Sequence, residues 1–314
     1  MNKPVWMRLG LATNNEKGSL GRLRLKRRPE WFRLPMRDPR KIVEVRGLLR
    51  ELGLHTVCES ANCPNIAVCF GRGTATFMIM GDSCTRNCRF CGVHHGRPQE
   101  LDLEEPDRVA VAVKRLGLKH AVVTSATRDD LPDYGASHFA NTVIQIKRIN
   151  PGTTVEALIP DLMGKEEHIR TVVESRPEII NHNLETVRRL SHEIRPEADY
   201  DRSLKVLRVV KELDDSIYTK SGIMVGLGEA FGEVVETMKD LRGINCQIFT
   251  IGQYLQPSSN HAPIAEYVRP ETYDRWKLKG LEMGFLHVNA GPLVRSSLNA
   301  DMFQLVRARY STSS

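Results

Sequence analysis

From Ala75 onward the chain alternates between short apolar or β-branched runs and longer amphipathic stretches. The runs fall at 75–80 (ATFMIM), 120–125 (HAVVTS), 153–159 (TTVEALI), 178–182 (EIINH), 221–227 (SGIMVGL) and 246–251 (CQIFTI). Runs of this length, bounded by polar or glycine-containing segments, predict buried strands. Between them, 107–116, 138–149, 166–175, 201–213 and 232–242 are amphipathic at helical spacing and predict helices. Six strand–helix repeats imply a parallel sheet with right-handed crossovers, hence an α/β fold. Periodicity alone leaves open sheet, closed barrel and partial barrel as equals.

Outside the repeats the patterning is weaker. Residues 1–40 mix charge with Pro4, Pro29 and Pro35 and show no sustained period, which predicts an extended arm. Ile42, Val43, Val45, Leu48 and Leu49 then recur at helical spacing over 40–52, ahead of a loop containing proline and asparagine. After 252 come a loop rich in Pro, Ser, Asn and Gln (253–264), a predicted helix at 271–283 and the strand-like FLHVNAG. At 314 residues the chain is long enough to bury a full core as one large domain.

Composition narrows the class. Hydrophobic residues make up 41%, and Lys plus Arg exceed Asp plus Glu by 45 to 38, a formal charge of +7. This is an ordinary soluble balance, and no window approaches the roughly twenty apolar residues of a membrane span. The N-terminus lacks the apolar core of a secretory signal, and Asn14, Asn15 and Glu16 are out of place in a transit peptide, so a cytoplasmic protein is expected. The densest basic run, Arg22, Arg24, Lys26, Arg27 and Arg28, has no aromatic-rich RNA-binding signature beside it. No nucleic acid partner is expected; a solvated arm or a docking patch for an acidic protein fits the run.

Chemistry concentrates between Cys58 and Cys91, which hold six of the seven cysteines as two triplets. Cys58, Cys63 and Cys69 read C-x4-C-x5-C; Cys84, Cys88 and Cys91 read C-x3-C-x2-C with Phe90 before the last thiol. A structural zinc site closes its tetrahedron with four protein ligands, whereas a [4Fe-4S] cluster held by three thiolates keeps one iron corner open. A Cys3His zinc site completed by His94 or His95 is the competing reading of the second triplet, and disulfides are the less favoured one. Cys246 stands alone in an apolar strand and reads as a buried small hydrophobe.

The spacing of Cys84, Cys88 and Cys91 resembles the radical S-adenosylmethionine (radical SAM) superfamily, and the pair of triplets in CESANCPNIAVCF and GDSCTRNCRFC resembles the lipoyl synthase family within it. The likeness extends through VTSATRDDLPDYGA (123–136), NHNLETV (181–187), TKSGIMVGLGE (219–229), QYLQPSSNHAPI (253–264) and VRSS (294–297), from about residue 22 to residue 300. It implies a partial (β/α)6 TIM-type barrel with an N-terminal cluster-binding extension and a C-terminal extension. On that basis 1–74 is the arm and auxiliary-cluster loop, 75–252 the barrel core, and 253–314 the segment that closes the auxiliary cluster.

The same resemblance implies the site. Two [4Fe-4S] clusters and S-adenosyl-L-methionine are the expected cofactors. Cys84, Cys88 and Cys91 would hold the SAM cluster, whose open iron chelates the amino and carboxylate groups of SAM. Cys58, Cys63 and Cys69 would hold an auxiliary cluster that is the sulfur source. In lipoyl synthases an RSSYxA motif adds a serine ligand to that cluster, which makes Ser297 the candidate and Ser296 the near alternative; here the motif reads R-S-S-L-N-A, with Leu298 in the tyrosine position. Active sites of α/β barrels gather at strand C-termini, so Thr124, Ser125, Asn181, Asn183 and Glu229 become candidates for SAM binding.

The implied activity is insertion of two sulfurs, at C6 and C8 of a protein-bound octanoyl-lysine, at the cost of two SAM molecules. Octanoylated lipoyl carrier domains, the E2 subunit of a 2-oxoacid dehydrogenase or the glycine cleavage H protein, would be the partners, with a ferredoxin or flavodoxin as electron donor. A methylthiotransferase is the closest enzymatic rival, and a two-cluster electron carrier the rival from another class. Conversion of SAM to 5'-deoxyadenosine by the reduced protein separates enzyme from carrier.

Overall fold

The computed structural model describes residues 28–33 and 39–298. Of the basic run, Arg22, Arg24, Lys26 and Arg27 lie outside the described residues; Arg28 is exposed.

Helix α1 (Pro39–Glu51) leads into a two-residue strand β1 (His55–Thr56) and two short helices, α2 (Val57–Ser60) and α3 (Ile66–Gly71). The repeats follow: β2 (Thr76–Ile79), the small pair β3 (Ser83–Cys84) and β4 (His94–His95), α4 (Glu105–Leu116), β5 (His120–Ser125), α5 (Ala136–Ile149), β6 (Thr154–Leu158), α6 (Glu166–Glu174) and β7 (Ile179–Asn181). The remainder is α7 (Arg188–Ile194), α8 (Tyr200–Leu213), β8 (Tyr218–Val225), α9 (Phe231–Gly243), β9 (Ile248–Gln253), α10 (Pro270–Glu282) and β10 (His287–Gly291).

Eight strands form one sheet in the order β1-β2-β5-β6-β7-β8-β9-β10, parallel throughout except for the antiparallel β1–β2 pair. This is the partial barrel of an α/β protein, and the six repeat strands match the six apolar runs. Two strands lie beyond them. FLHVNAG becomes β10, whose residues 287–291 pair with 248–252 and carry the parallel sheet past β9. β1 pairs His55 with Met78 and Thr56 with Phe77, too short a run to be read from sequence.

Strand alternation separates two layers. Phe77, Val123, Val155, Ile180, Ile223 and Phe249 point outward and pack beneath the helices in two apolar clusters. The intervening positions point inward and are more polar: Thr124, Glu156, Asn181, Lys220 and Thr250 are buried there. Helix ends follow their local chemistry. α4 starts with Glu105, Pro106 and Asp107, ends with Lys114 and Arg115, and stops at Gly117 in the left-handed region, φ 64°. Asp199 accepts a hydrogen bond from Arg202 N at 2.6 Å and caps α8. No helix among the described residues is long and apolar enough to cross a membrane.

Candidate active site

Each cysteine triplet reaches the barrel mouth by a different route. For the second, Cys84 ends β3, which pairs parallel with β4 so that the loop between them closes on itself. Gly96 N donates to Cys84 O at 3.0 Å and Cys91 N to Cys88 O at 3.1 Å. The Cys84 sulfur accepts backbone N–H groups from Arg86 at 3.4 Å and Thr127 at 3.3 Å. Arg86, inside C-x3-C, is buried and donates to Asp129 at 2.7 and 2.9 Å and to Asp161 at 2.8 and 2.9 Å. Burial alone would lower the Arg86 pKa, but the two carboxylates hold it above its ordinary value; burial likewise opposes and Arg86 outweighs it at Asp161, which stays below the usual carboxylate range. Arg202 adds a second donor to Asp161 at 2.8 Å. From the far side, Ala262 N donates to Arg89 O at 2.8 Å, and His261 Nε2 lies 2.9 Å from Cys91 O.

The first triplet is seated by β1. Its pairing with β2 delivers Cys58 to the edge of the barrel, and Thr56 Oγ1 accepts Glu59 N at 3.3 Å to cap α2. Cys63 N donates to Cys58 O at 3.0 Å, and Cys69 N donates to Asn65 O at 2.9 Å as α3 begins. Asn65 does more than turn the chain: its Nδ2 donates to Leu293 O at 2.7 Å, joining this loop to the C-terminal segment.

Cys58 and Cys63 of the first triplet and all three thiols of the second, Cys84, Cys88 and Cys91, line one cavity of about 420 Å³, together with Ser296 and Ser297. That volume suits a ligand of cofactor size. Burial pushes the thiols of Cys58 and Cys88 up to about 11 and that of Cys91 up to about 12, so a metal must displace their protons on binding. Among the described residues no three His, Cys, Asp or Glu side chains converge on the point a single ion would occupy. Two sets of thiols spread around a shared cavity, one with amide hydrogens on its sulfur, are a fit for multi-iron clusters.

The remaining candidates divide. Thr124, Ser125 and Asn183 line the cavity with Ser297. Thr124 Oγ1 donates to Leu158 O at 3.0 Å, while the buried Ser125 hydroxyl has no protein partner. Asn181 does not line the cavity; its amide donates to Glu156 and to Ser296 Oγ, each at 2.7 Å. Glu229 does not line it either, since its carboxylate accepts Gly226 N at 2.5 Å and Leu227 N at 3.0 Å and shapes the loop after β8. Cys69 is not among the residues lining the cavity, and Cys246 is buried in the outer apolar layer.

Other cavity residues carried a signal too weak to single out. His182 is buried, with Nδ1 2.9 Å from Ile159 O, so the proton sits on Nδ1 and the Nε2 lone pair has no protein partner. Burial and the neighbouring Arg195 lower its pKa to about 4. Glu185 lies at φ 64° and is pushed up by burial despite Arg195; the Arg195 guanidinium donates to Leu184 O at 2.9 Å and leaves its Nε without a partner. Left-handed backbone at a glutamate is not legible in NHNLETV. A charge in mid-strand is: Glu156 in TTVEALI and Lys220 in TKSGIMV stand out among buried neighbours.

The radical SAM superfamily model matches residues 78–241. Over 276 residues, 88% of this chain and 96% of the relative, the chain is 60% identical to the lipoyl synthase of Caldanaerobacter subterraneus subsp. tengcongensis. It is 56% identical over 290 residues to the lipoyl synthase of Rubrobacter xylanophilus, covering 92% of this chain and 88% of that one.

The chain belongs to the lipoyl synthase family.

Among solved structures, methylornithine synthase superposes with a TM-score of 0.52 at 13% identity over 82% of this chain and 87% of its own. Streptococcus suis SuiB bound to S-adenosylmethionine gives 0.52 at 13%, over 77% and 57%. At that identity the likeness is one of fold. As a lipoyl synthase family member the chain is an enzyme, a radical SAM sulfurtransferase, and the superfamily brings with it SAM and a [4Fe-4S] cluster.

Proposed function

We propose that the protein inserts two sulfur atoms, at C6 and C8 of an octanoyl group held in amide linkage by a lysine of a lipoyl carrier domain. The observation that carries this reading is the cavity shared by Cys58 and Cys63 of one triplet and all three thiols of the other, with Ser297 at its wall. Cys84, Cys88 and Cys91 would hold the SAM cluster, and Cys58, Cys63, Cys69 and Ser297 an auxiliary [4Fe-4S] cluster. When bound, these groups supply a 5'-deoxyadenosyl radical and the sulfur. The chain's own residues bind, orient and exclude water.

Arg86, clamped between Asp129 and Asp161, keeps the Cys84 loop rigid. Leu158, Ile159 and Met224 make the cavity wall apolar, which suits an acyl chain and protects a radical from water. His182, neutral above pH 4, offers a hydrogen-bond acceptor within that wall. Thr124, Ser125 and Asn183 offer further polar groups to SAM. The carrier is an E2 domain or a glycine cleavage H protein, steered by the basic run through Arg28, and electrons come from a ferredoxin or flavodoxin in the cytoplasm.

Anaerobic reconstitution with iron and sulfide counting, followed by incubation with SAM, reductant and an octanoylated carrier domain, tests the proposal. Two clusters, 5'-deoxyadenosine and a lipoylated carrier are expected. One cluster, or SAM cleavage with no sulfur in the carrier from the unmodified protein, would overturn it.

A further inference from the structure

Of the two adjacent hydroxyls near the C-terminus, one is already engaged. Ser296 Oγ accepts from Asn181 Nδ2 at 2.7 Å and donates to Asn183 Oδ1 at 3.0 Å. Ser297 makes no side-chain hydrogen bond among the described residues, although it lines the cavity. Beneath Ser296 lies a buried network inside the barrel. Asn181 Nδ2 also donates to Glu156 Oε1 at 2.7 Å, and Lys220 Nζ lies 2.9 Å from both Glu156 oxygens. Glu156, Asn181 and Lys220 come from three adjacent strands, β6, β7 and β8, and all are buried.

The segment is held at two more points. Asn65 Nδ2 takes Leu293 O at 2.7 Å. Val294 O lies so close to β9 that a Cβ at Gly252 would sit 2.1 Å from it, so this approach needs glycine.

We propose that Ser296 is an anchor and not a metal ligand, and that Glu156, Lys220 and Asn181 are positioning residues that latch residues 293–296 across the barrel mouth and so aim Ser297 at the Cys58 triplet. The inference rests on the auxiliary cluster of the preceding reading for its purpose, but not for its geometry. A carboxylate paired with Lys220 fixes the amide of Asn181, the amide fixes the Ser296 hydroxyl, and the next residue in the chain, Ser297, lines the cavity. The bonds to the segment itself are neutral, backed by the Glu156–Lys220 ion pair, and among the described residues the Ser297 side chain has no hydrogen-bond partner.

Trypsin reads the latch directly, because the peptide bond after Arg295 lies inside it. Cleavage at that bond is to be timed in the reconstituted protein, in Ser296→Ala, in Asn181→Ala and in the double variant. Loss of two hydrogen bonds predicts cleavage faster by about tenfold or more in each single variant. Because Asn181 reaches the segment only through Ser296, the double variant is expected to cleave no faster than Ser296→Ala alone. Unchanged cleavage, or multiplying effects in the double variant, would overturn the latch. Should Asn181→Ala fail to fold, Gly252→Ala replaces it, expected to displace Val294 and to raise cleavage to the same degree. Iron counting on the same samples keeps the two ideas apart: a firm latch in a protein that never holds a second cluster would sink the functional reading and leave the anchor standing.

Discussion

The two triplets share a cavity but are built by opposite means. Cys84, Cys88 and Cys91 come from one loop, closed by the β3–β4 pair and braced from below by a buried ion-pair network through Arg86. The Cys58–Cys69 loop is instead tied to a distant part of the chain, residues 293–297, by a neutral hydrogen bond from Asn65, and that segment is held to the barrel by Asn181, itself backed by the Glu156–Lys220 ion pair. The difference suits the proposed chemistry. A centre that works by electron transfer gains from rigidity, whereas one that gives up sulfur must release its ligands and be rebuilt.

The largest expected effect comes from deleting a thiol on either side. Cys88→Ala should abolish SAM cleavage, because two thiolates cannot hold a cluster with one open corner. Cys63→Ala should keep SAM cleavage and deliver no sulfur, and Cys246→Ala should do neither harm. Chromatographic assay of 5'-deoxyadenosine together with mass measurement of the carrier decides; lipoyl product from Cys63→Ala would erase the division of labour.

Breaking the braces is expected to separate the sites by stability. Arg86→Met leaves Asp161 buried beside a single remaining guanidinium, a loss of about 3–5 kcal/mol. Asn65→Leu gives up one neutral bond, about 1 kcal/mol, yet should deplete the auxiliary iron first. Denaturant titration gives the first quantity and iron counting the second. Equal losses from the two variants would show that the braces are not different in kind.

The smallest effect is a pH dependence located on the barrel side of the cavity. His182 has a folded pKa of about 4, below its ordinary 6.5, so the neutral ring contributes fully above pH 6.5 and that contribution is lost as pH falls through 4. The shift corresponds to about 3 kcal/mol at most. His182→Gln should flatten the stability curve over that window; a curve that keeps its slope would move the titration to another group. Glu156 titrates lower. Burial alone would raise its carboxyl, but Lys220 and His120 hold it at about 2, so its contribution is present above 4.5 and lost only as pH falls through about 2.

Most of the scaffold was legible because its signals are local. Strand and helix periods depend on near neighbours, and the observed β2 and β5–β9 lie within a few residues of the predicted runs. Cysteine spacing is equally local, so both triplets could be read, and with the family likeness so could their partition. α7 was missed because it is only seven residues long and follows a turn. Counting onto the family motif ranks Ser297 ahead of Ser296, but which of the two hydroxyls is already engaged is not written in R-S-S.

What the sequence determined by itself is the repeat, the thiols and the sulfurtransferase family, each written in residues close along the chain. What only the tertiary structure decided is which polar groups are already engaged. The fold turns the Asn181 amide toward Ser296 and the Glu229 carboxylate toward its own loop. Asn65 looks like a turn residue until Leu293, 228 positions away, is brought against it. Hydrogen bonds are satisfied in space, between partners that chain separation does not reveal.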